Sequence, residues 1–525
     1  MHLFYLKRIA FFSLLCFAII SCKKEPRILP LEQYNEEQQV IDSIRLYADQ
    51  IYFWNKQLPK YTSSDSKKYG GSSAIAKYNH EIFDLTSYAI NPETGKSFEF
   101  NQDNVSEAKF STIINNSNSG LQNSYSLADL GYSYGITLVA VGNSAIYVEY
   151  VIKNSPAETA GIKRGMKVEE INGRKSENTE DFYKYVKTAF DRDKVELILN
   201  GKPTGYRAEQ YTIKRMAYIA DPVNKVSVLK INNISIGYIS YLKFSSPKGW
   251  DESLNNAFSY FKNEDIKELI IDLRYNGGGD IVTCENFANL VVPQHANGRV
   301  MRKEKYNTLM QQGGATLLTK QPILNDDGSP AFIINGRAAT LADGDYSLNA
   351  NTAFFKKTAG PNNLTRIYFI VSKKTASASE LLVNCLKPYM DVKLIGIRTT
   401  EKPSEPVKTF GKPIGFFPIK IKSYSLYLSL FQNLNANNQG NYFNGIPVDI
   451  TAEDDVETDF GNIEEKGLKS ALDDIGYLPP KTAAVKNKTL ESKSTTQSNI
   501  PGVKREILGA AEFRELVKSQ FKLKK

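Results

Sequence analysis

The chain has 525 residues, of which 41% are apolar and 23% charged, and its net charge is +9. That length is more than one compact core fills, so two or three domains are expected, and the composition is that of an ordinary globular protein. The positive charge is spread along the chain and densest at the C-terminal end, with no basic stripe interleaved with aromatics, which argues against nucleic-acid binding.

The N-terminus carries Lys7-Arg8, a largely apolar run from Ile9 to Ile20, and Ser21-Cys22 followed by Lys23-Lys24-Glu25. A run of about twelve residues is too short to span a bilayer as a helix and suits the apolar core of a signal peptide. The segment resembles a lipoprotein signal, because a small residue just before a cysteine is what lipoprotein processing requires. On that resemblance residues 1–21 are removed, Cys22 becomes the acylated first residue, and lipid holds the chain to a membrane of the bacterial cell envelope. An ordinary secretory signal, in which Cys22 has no role, is the alternative. With Cys16 inside the signal, Cys284 and Cys385 remain, too few for a disulfide framework, and they read as buried free thiols. Each falls in an expected helix after a candidate active-site loop, which would make them neighbours in space.

From Val40, apolar residues recur at Ile44, Tyr47, Ile51 and Trp54, the spacing of a helix with one buried face, and Pro59 closes it. A second apolar segment surrounds Ile82-Phe83-Asp84-Leu85, so residues 22–117 read as a tether and a small helical domain. Residues 118–215 hold short strands at Tyr134–Leu138, Ile146–Val148 and Val151-Ile152, then Ser155-Pro156-Ala157 opening a short helix. Ala160-Gly161-Ile162, Gly165-Met166 and a strand to Ile171 with an Asn172-Gly173 hairpin turn complete a small β-barrel. This order of pieces resembles a PDZ domain. In that family a peptide C-terminus adds as a strand beside the loop matching Tyr134-Gly135-Ile136, whose backbone N–H groups take the carboxylate. Without the resemblance, Gly135, Gly161, Gly165 and Gly173 supply turn geometry alone.

Residues 216–480 alternate strands and helices: a strand at Ile236–Leu242, a helix at Glu252–Lys262 and a buried strand at Glu268–Leu273. Arg274-Tyr275-Asn276-Gly277-Gly278-Gly279-Asp280 then opens a helix through Cys284. A strand at Ile367–Val371 leads to Thr375-Ala376-Ser377-Ala378-Ser379-Glu380, a helix to about Tyr389, and a strand at Val392–Ile397. The alternation implies a layered α/β core. Residues 481–525 read as a Lys-, Thr- and Ser-rich linker and a last amphipathic helix from about Val503 to Phe521, expected to pack within the protein.

Histidine is nearly absent, with only His2, His80 and His295, so a nucleophilic serine has to find another base. Ser377 lies between a strand and a helix, where unpaired helix N–H groups favour the negative charge of a tetrahedral intermediate. The Ala378 N–H is one donor for that oxyanion, and Gly277-Gly278-Gly279 can bring a second backbone close. Lys412, in Thr409-Phe410-Gly411-Lys412-Pro413, can serve as base if neutral, a state that an apolar pocket of Phe410, Ile414, Phe416 and Phe417 favours. The bland reading is that Ser377 and Glu380 form a capping box, the glycines a turn, and the lysine a solvated side chain.

Taken together, Leu273-Arg274-Tyr275-Asn276-Gly277-Gly278-Gly279, Ala376-Ser377-Ala378-Ser379-Glu380 and Thr409-Phe410-Gly411-Lys412, in that order behind the PDZ-like block, resemble the tail-specific, or C-terminal processing, serine proteases. The resemblance implies a multidomain α/β protein with a ClpP/crotonase-like protease core, Ser377 as nucleophile, Lys412 as base, and Gly277, Gly278 and Ala378 around the oxyanion. It implies protein or peptide substrates with accessible C-termini, and no metal or organic cofactor. Two departures accompany it. The family's usual serine–lysine spacing lands on Lys402, and Lys412 is preferred for its sequence context, with residues 398–407 holding an inserted excursion. The glutamine that many members place four residues after the lysine is Phe416 here, so another group must hold the amine. A non-catalytic binding scaffold of the same fold is the other class of function, and a small-ester hydrolase a third.

Overall fold

The computed structural model describes residues 36–60, 70–116, 130–141, 145–201, 208–231, 233–245, 251–325, 328–333, 335–364, 366–398, 405–476, 504–508, 516–517 and 523. Cys22 and Lys402 lie outside them, so the structure places neither.

The chain begins with α1 (Glu36–Ile51), whose Val40, Ile41, Ile44, Tyr47, Ala48 and Ile51 fall on one buried face. It continues through α2 (Ala74–Ser87), capped by the Ser73 hydroxyl, to β1 (Thr112–Asn115). The next block holds β2 (Leu130–Ser133), β3 (Ile136–Val141), β4 (Ala145–Val151), α3 (Pro156–Thr159), β5 (Lys167–Ile171) and β6 (Arg174–Lys175). It ends with α4 (Glu180–Phe190), β7 (Lys194–Asn200), β8 (Glu209–Lys214) and β9 (Met216–Ile219). Asn172 and Gly173, at φ 48° and 77°, make the expected tight turn between β5 and β6. Leu138, Ile146, Val148, Phe182, Val186 and Leu197 close a core that belongs to this block alone.

The third block runs β10 (Val223–Ile231), β11 (Ile234–Tyr241), α5 (Asp251–Asn263), β12 (Glu268–Asp272), β13 (Gly279–Asp280), α6 (Ile281–Val291), β14 (Val300–Tyr306), α7 (Thr308–Gln311) and β15 (Thr352–Phe354). After these come β16 (Arg366–Val371), α8 (Ala378–Leu386), β17 (Asp391–Arg398), β18 (Ile414–Gly415), β19 (Ile419–Ile421), β20 (Tyr424–Tyr427), β21 (Phe431–Asn435), β22 (Ile450–Glu453) and α9 (Lys466–Ile475). The main sheet has the order β10-β11-β12-β16-β17-β22, parallel except for the β10–β11 hairpin. Because side chains alternate along a strand, Leu269, Ile271, Ile367, Phe369 and Val371 face one layer, with α5, α6 and α8. Ile270, Tyr368, Ile370, Ile395 and Ile397 face the other, with α9. This is the layered α/β core expected from the strand–helix alternation. A second sheet, β15-β14-β21-β18, has strands between residues 292 and 366, where the sequence reading assigned no element.

The N-terminal helices share the first of these layers, and β1 pairs antiparallel with β20. The amphipathic helix expected over 503–521 is corrected: the described parts are strands, β23 (Lys504–Leu508) and β24 (Leu516–Val517). The cause is tertiary. β23 satisfies the open edge of β3, and an edge row of unpaired N–H and C=O groups outweighs a modest helical periodicity.

One buried charge cluster ties α9 to the sheet. Arg274 donates to Asp272 from Nε and Nη2 (3.0 and 2.7 Å) and to Glu465 from Nη1 and Nη2 (2.5 and 2.8 Å), with all three side chains about 1% exposed. Arg274→Met strands two buried carboxylates and is expected to destabilise the chain by about 3–5 kcal/mol in urea unfolding, against an unchanged midpoint if the cluster is idle.

Candidate active site

Ser377 stands where the chain leaves β16 for α8, and its segment is stitched to the glycine loop that leaves β12. Thr375 Oγ1 donates to the Leu273 carbonyl (2.8 Å), Ser372 Oγ to the Arg274 carbonyl, and the Ala376 N–H and Ser379 Oγ to the Asn276 carbonyl (3.3 and 3.0 Å). Both loops start at the C-terminal ends of adjacent parallel strands, where α/β sheets open their clefts. Ser377 itself has φ 61° and ψ −115°, a conformation that costs a non-glycine residue about 1–3 kcal/mol and persists only where its surroundings hold it. Gly278, at φ 111°, lies so close that a Cβ on it would come 2.6 Å from Ser377 Cβ and 2.9 Å from the Ala378 nitrogen. Only glycine permits that approach.

Glu380 is the residue whose part the sequence reading underestimated. The carboxylate half of the capping box forms, with Oε2 accepting the Ser377 N–H at 3.0 Å, while the buried Ser377 Oγ lacks a hydrogen bond of ordinary length and angle among the described residues. The same Oε2 accepts the Lys412 N–H at 2.7 Å, and Oε1 accepts the Gly411 N–H at 2.7 Å and the Thr409 hydroxyl. One carboxylate therefore clasps the backbones of both sequence-predicted residues. Burial pushes its pKa above the ordinary value against the pull of these donors.

The Thr409–Lys412 segment reaches Glu380 because Phe410 N–H donates to the Thr375 carbonyl (2.9 Å) and Thr409 pairs with Ile446 through N–H and Oγ1 (3.1 and 2.8 Å). Lys412 is 3% exposed, and its Nζ sits 4.5 Å from the centroid of Phe416. The ring at the position where the family resemblance expects glutamine thus touches the amine through its face. Ile414, Phe416 and Phe417 are buried as expected, and Phe410 is partly so. His80 and His295 are exposed and make no bond to Ser377.

Lys109 was not singled out from sequence, where an isolated lysine in a loop carries no signal. Its Nζ donates to the carbonyls of Phe410 and Phe443 (2.9 and 2.7 Å) and lies 4.7 Å from the Phe410 ring centroid, bracing the segment that carries Lys412. Burial lowers its pKa to about 8, with the Glu380 carboxylate opposing the fall.

Of the three residues expected around an oxyanion, Ala378 is the first residue of α8, Gly277 is half-buried in the glycine loop, and Gly278 packs against Ser377. The Gly278 N–H donates to Asn276 Oδ1 at 2.9 Å in an Asx turn, so its contribution is the close approach rather than a free donor. Cys284 and Cys385 are buried free thiols on the packed helices α6 and α8, and Cys284 Sγ donates to the Ala378 carbonyl at 3.2 Å.

The β-rich block is fastened directly to these loops. Arg164 donates to the Tyr275 hydroxyl (3.0 Å) and to the Asp455 and Thr458 carbonyls (3.0 and 3.1 Å), and Tyr150 stacks on Tyr275 with centroids 5.3 Å apart. Lys374 bonds Glu149 at 3.1 Å. Tyr134 and Ile136 are buried, and Gly135, at φ 72°, packs where any Cβ would overlap Ser155. The Gly135 N–H donates to Ser133 Oγ at 3.1 Å.

Glu380→Gln turns an acceptor of N–H groups into a donor facing them, and is expected to cost about 2–4 kcal/mol and speed amide exchange at 409–412. Unchanged exchange there would deny the clasp. Lys109 gives a pH effect of definite sign. The unfolded chain keeps its proton up to the ordinary 10.5 and the folded chain only to about 8, so this group adds stability as pH rises between them, an increment lost as pH falls through about 8. Urea midpoints measured at pH 7 and pH 10 should differ by less in Lys109→Met than in the unsubstituted chain.

Residues 235–410 match the model of peptidase family S41, and residues 147–200 match that of a PDZ domain. Among curated proteins, the carboxy-terminal processing protease CtpB of Bacillus subtilis strain 168 is 24% identical over 226 residues, 42% of this chain and 46% of the relative. The "Probable CtpA-like serine protease" of Staphylococcus saprophyticus is 24% identical over 270 residues, 51% of this chain and 44% of the relative. The match thus spans less than half the length of either relative. The crystal structure of an S41 protease candidate from Bacteroides fragilis NCTC 9343 superposes with a TM-score of 0.56 at 20% identity, over 83% of this chain and 96% of that one, which supports the fold. Both domain matches fall on the blocks that carry the corresponding motifs: the third block is similar to peptidase family S41 over residues 235–410, and the β-rich block to a PDZ domain over residues 147–200.

Proposed function

We propose that the chain is a serine endopeptidase that cleaves proteins near or from their C-termini, with Ser377 as nucleophile and Lys412 as general base. The observation that carries this reading is the Glu380 carboxylate, which accepts the Ser377 and Lys412 N–H groups on one oxygen. The strained backbone at Ser377 and a buried hydroxyl without an ordinary hydrogen bond among the described residues suit a nucleophile held ready for an incoming carbonyl. In the reaction, Ser377 Oγ attacks the scissile carbonyl and passes its proton to Lys412 Nζ. The oxyanion is received by the N–H groups of Ala378 and Gly277. The C–N bond then breaks, the amine leaves with the lysine's proton, and water, activated by the neutral lysine, hydrolyses the ester. Lys412 is buried and its Nζ lies over the Phe416 ring, which keeps the amine out of bulk water.

Substrate tails would be read by the PDZ domain at the Tyr134-Gly135-Ile136 loop. The enzyme would work in the bacterial cell envelope, held to a membrane through acylated Cys22. A second reading, a binding scaffold without turnover, is favoured by one observation, that Ser377 Oγ makes no hydrogen bond to the lysine. The two readings separate on purified protein given a model protein with a labelled C-terminus. Turnover should fall at least 1000-fold, to background, in both Ser377→Ala and Lys412→Ala with circular dichroism unchanged; full turnover in Ser377→Ala would remove the assignment.

A further inference from the structure

The described parts of the C-terminal segment pair with two strands of the preceding blocks. β23 pairs antiparallel with β3, with Lys504 opposite Val141, Arg505 opposite Ala140, Glu506 opposite Val139 and Leu508 opposite Leu138. Its backbone also runs beside α4, so it fills the slot between an edge strand and a helix. It heads toward the Tyr134-Gly135-Ile136 loop, the direction in which a PDZ ligand strand adds. Further on, β24 pairs parallel with β13, Leu516 opposite Gly279 and Val517 opposite Asp280. Gly279 follows Gly278, which packs on Ser377, and the other flank of β24 lies beside β18, which begins two residues beyond Lys412. β24 thus lies next to both β13, which continues the glycine loop, and β18, which follows the lysine segment. Leu523 then bridges to Gly344.

We propose that β23 and β24 are intramolecular strand ligands, β23 in the PDZ groove and β24 at the catalytic cleft, and that outside tails must displace them. The PDZ half stands on the strand pairing alone; the cleft half rests on the reading of Ser377 as nucleophile. Two strands of five and two residues bind weakly by themselves, but the Lys-, Ser- and Thr-rich stretch before them keeps them attached. At an effective concentration on the order of 1 mM and an intrinsic dissociation constant on the order of 50 µM, an outside tail would lose about 20-fold in affinity. Among the described residues no member of the three buried apolar clusters lies beyond Leu472, so a chain ending at Gly476 retains every one of those members.

The test uses Ser377→Ala protein, so that turnover plays no part, and a fluorescein-labelled synthetic peptide of residues 501–525. Fluorescence anisotropy should show saturable micromolar binding to the chain ending at Gly476, and binding about 20-fold weaker to the full chain. Leu508→Pro in the full chain, which breaks the β23 pairing, should restore most of the affinity. Equal binding by full and shortened chains, or none by a shortened chain that still melts cooperatively, overturns the proposal. The outcome is independent of catalysis: loss of the peptidase reading would leave this binding intact, and absence of binding would leave turnover untouched.

Discussion

The site depends on a single buried carboxylate. Glu380 sits one turn into α8 and receives four donors, three of them backbone N–H groups from two segments far apart in sequence. Hydrogen bonds to a charged acceptor are stronger than neutral ones, on the order of 1.5–3 kcal/mol each, and they fix backbone rather than side chain. The position of the lysine relative to the serine is thereby set before either side chain chooses a rotamer. It also explains how Ser377 can hold a disfavoured backbone conformation: the neighbouring glycine loop and the carboxylate restrain it from both sides.

Much of this was legible in the sequence because local chemistry and global fold agree. The alternation of strands and helices, the Asn172-Gly173 turn, the Ser155-Pro156 helix start and the apolar spacing of α1 each rest on short-range physics, and the structure bears them out. The serine and lysine motifs were readable as motifs. What brings them together was not, because a Ser-x-x-Glu pattern looks the same whether its carboxylate caps one helix or also gathers a second loop. Phe416 shows the same limit from the other side: it read as a missing glutamine, while its ring face meets the amine that an amide was expected to hold.

The unread parts are those in which long-range contacts decide. Lys109 acquires its role from two carbonyls more than three hundred residues away, and nothing in its neighbourhood announces that. The strands β14, β15, β18 and β21 pair across the whole second half of the third block. The C-terminal segment had the periodicity of a helix, yet its described parts are strands, because β3 and β13 offer them backbone partners. The N-terminal helices likewise bury their apolar faces in the same layer as α8 rather than in a core of their own.

The placement of Tyr275 has a mechanical meaning. One of its faces takes Tyr150, its hydroxyl meets Arg164, and Phe460 lies edge-on to it, while the next residue, Asn276, shapes the loop packed against Ser377. The PDZ domain therefore holds one end of a short lever whose other end is the glycine run. Were that domain to tilt by even a few degrees, the lever would swing the loop with it, since a stacked aromatic ring transmits displacement without a soft joint in between.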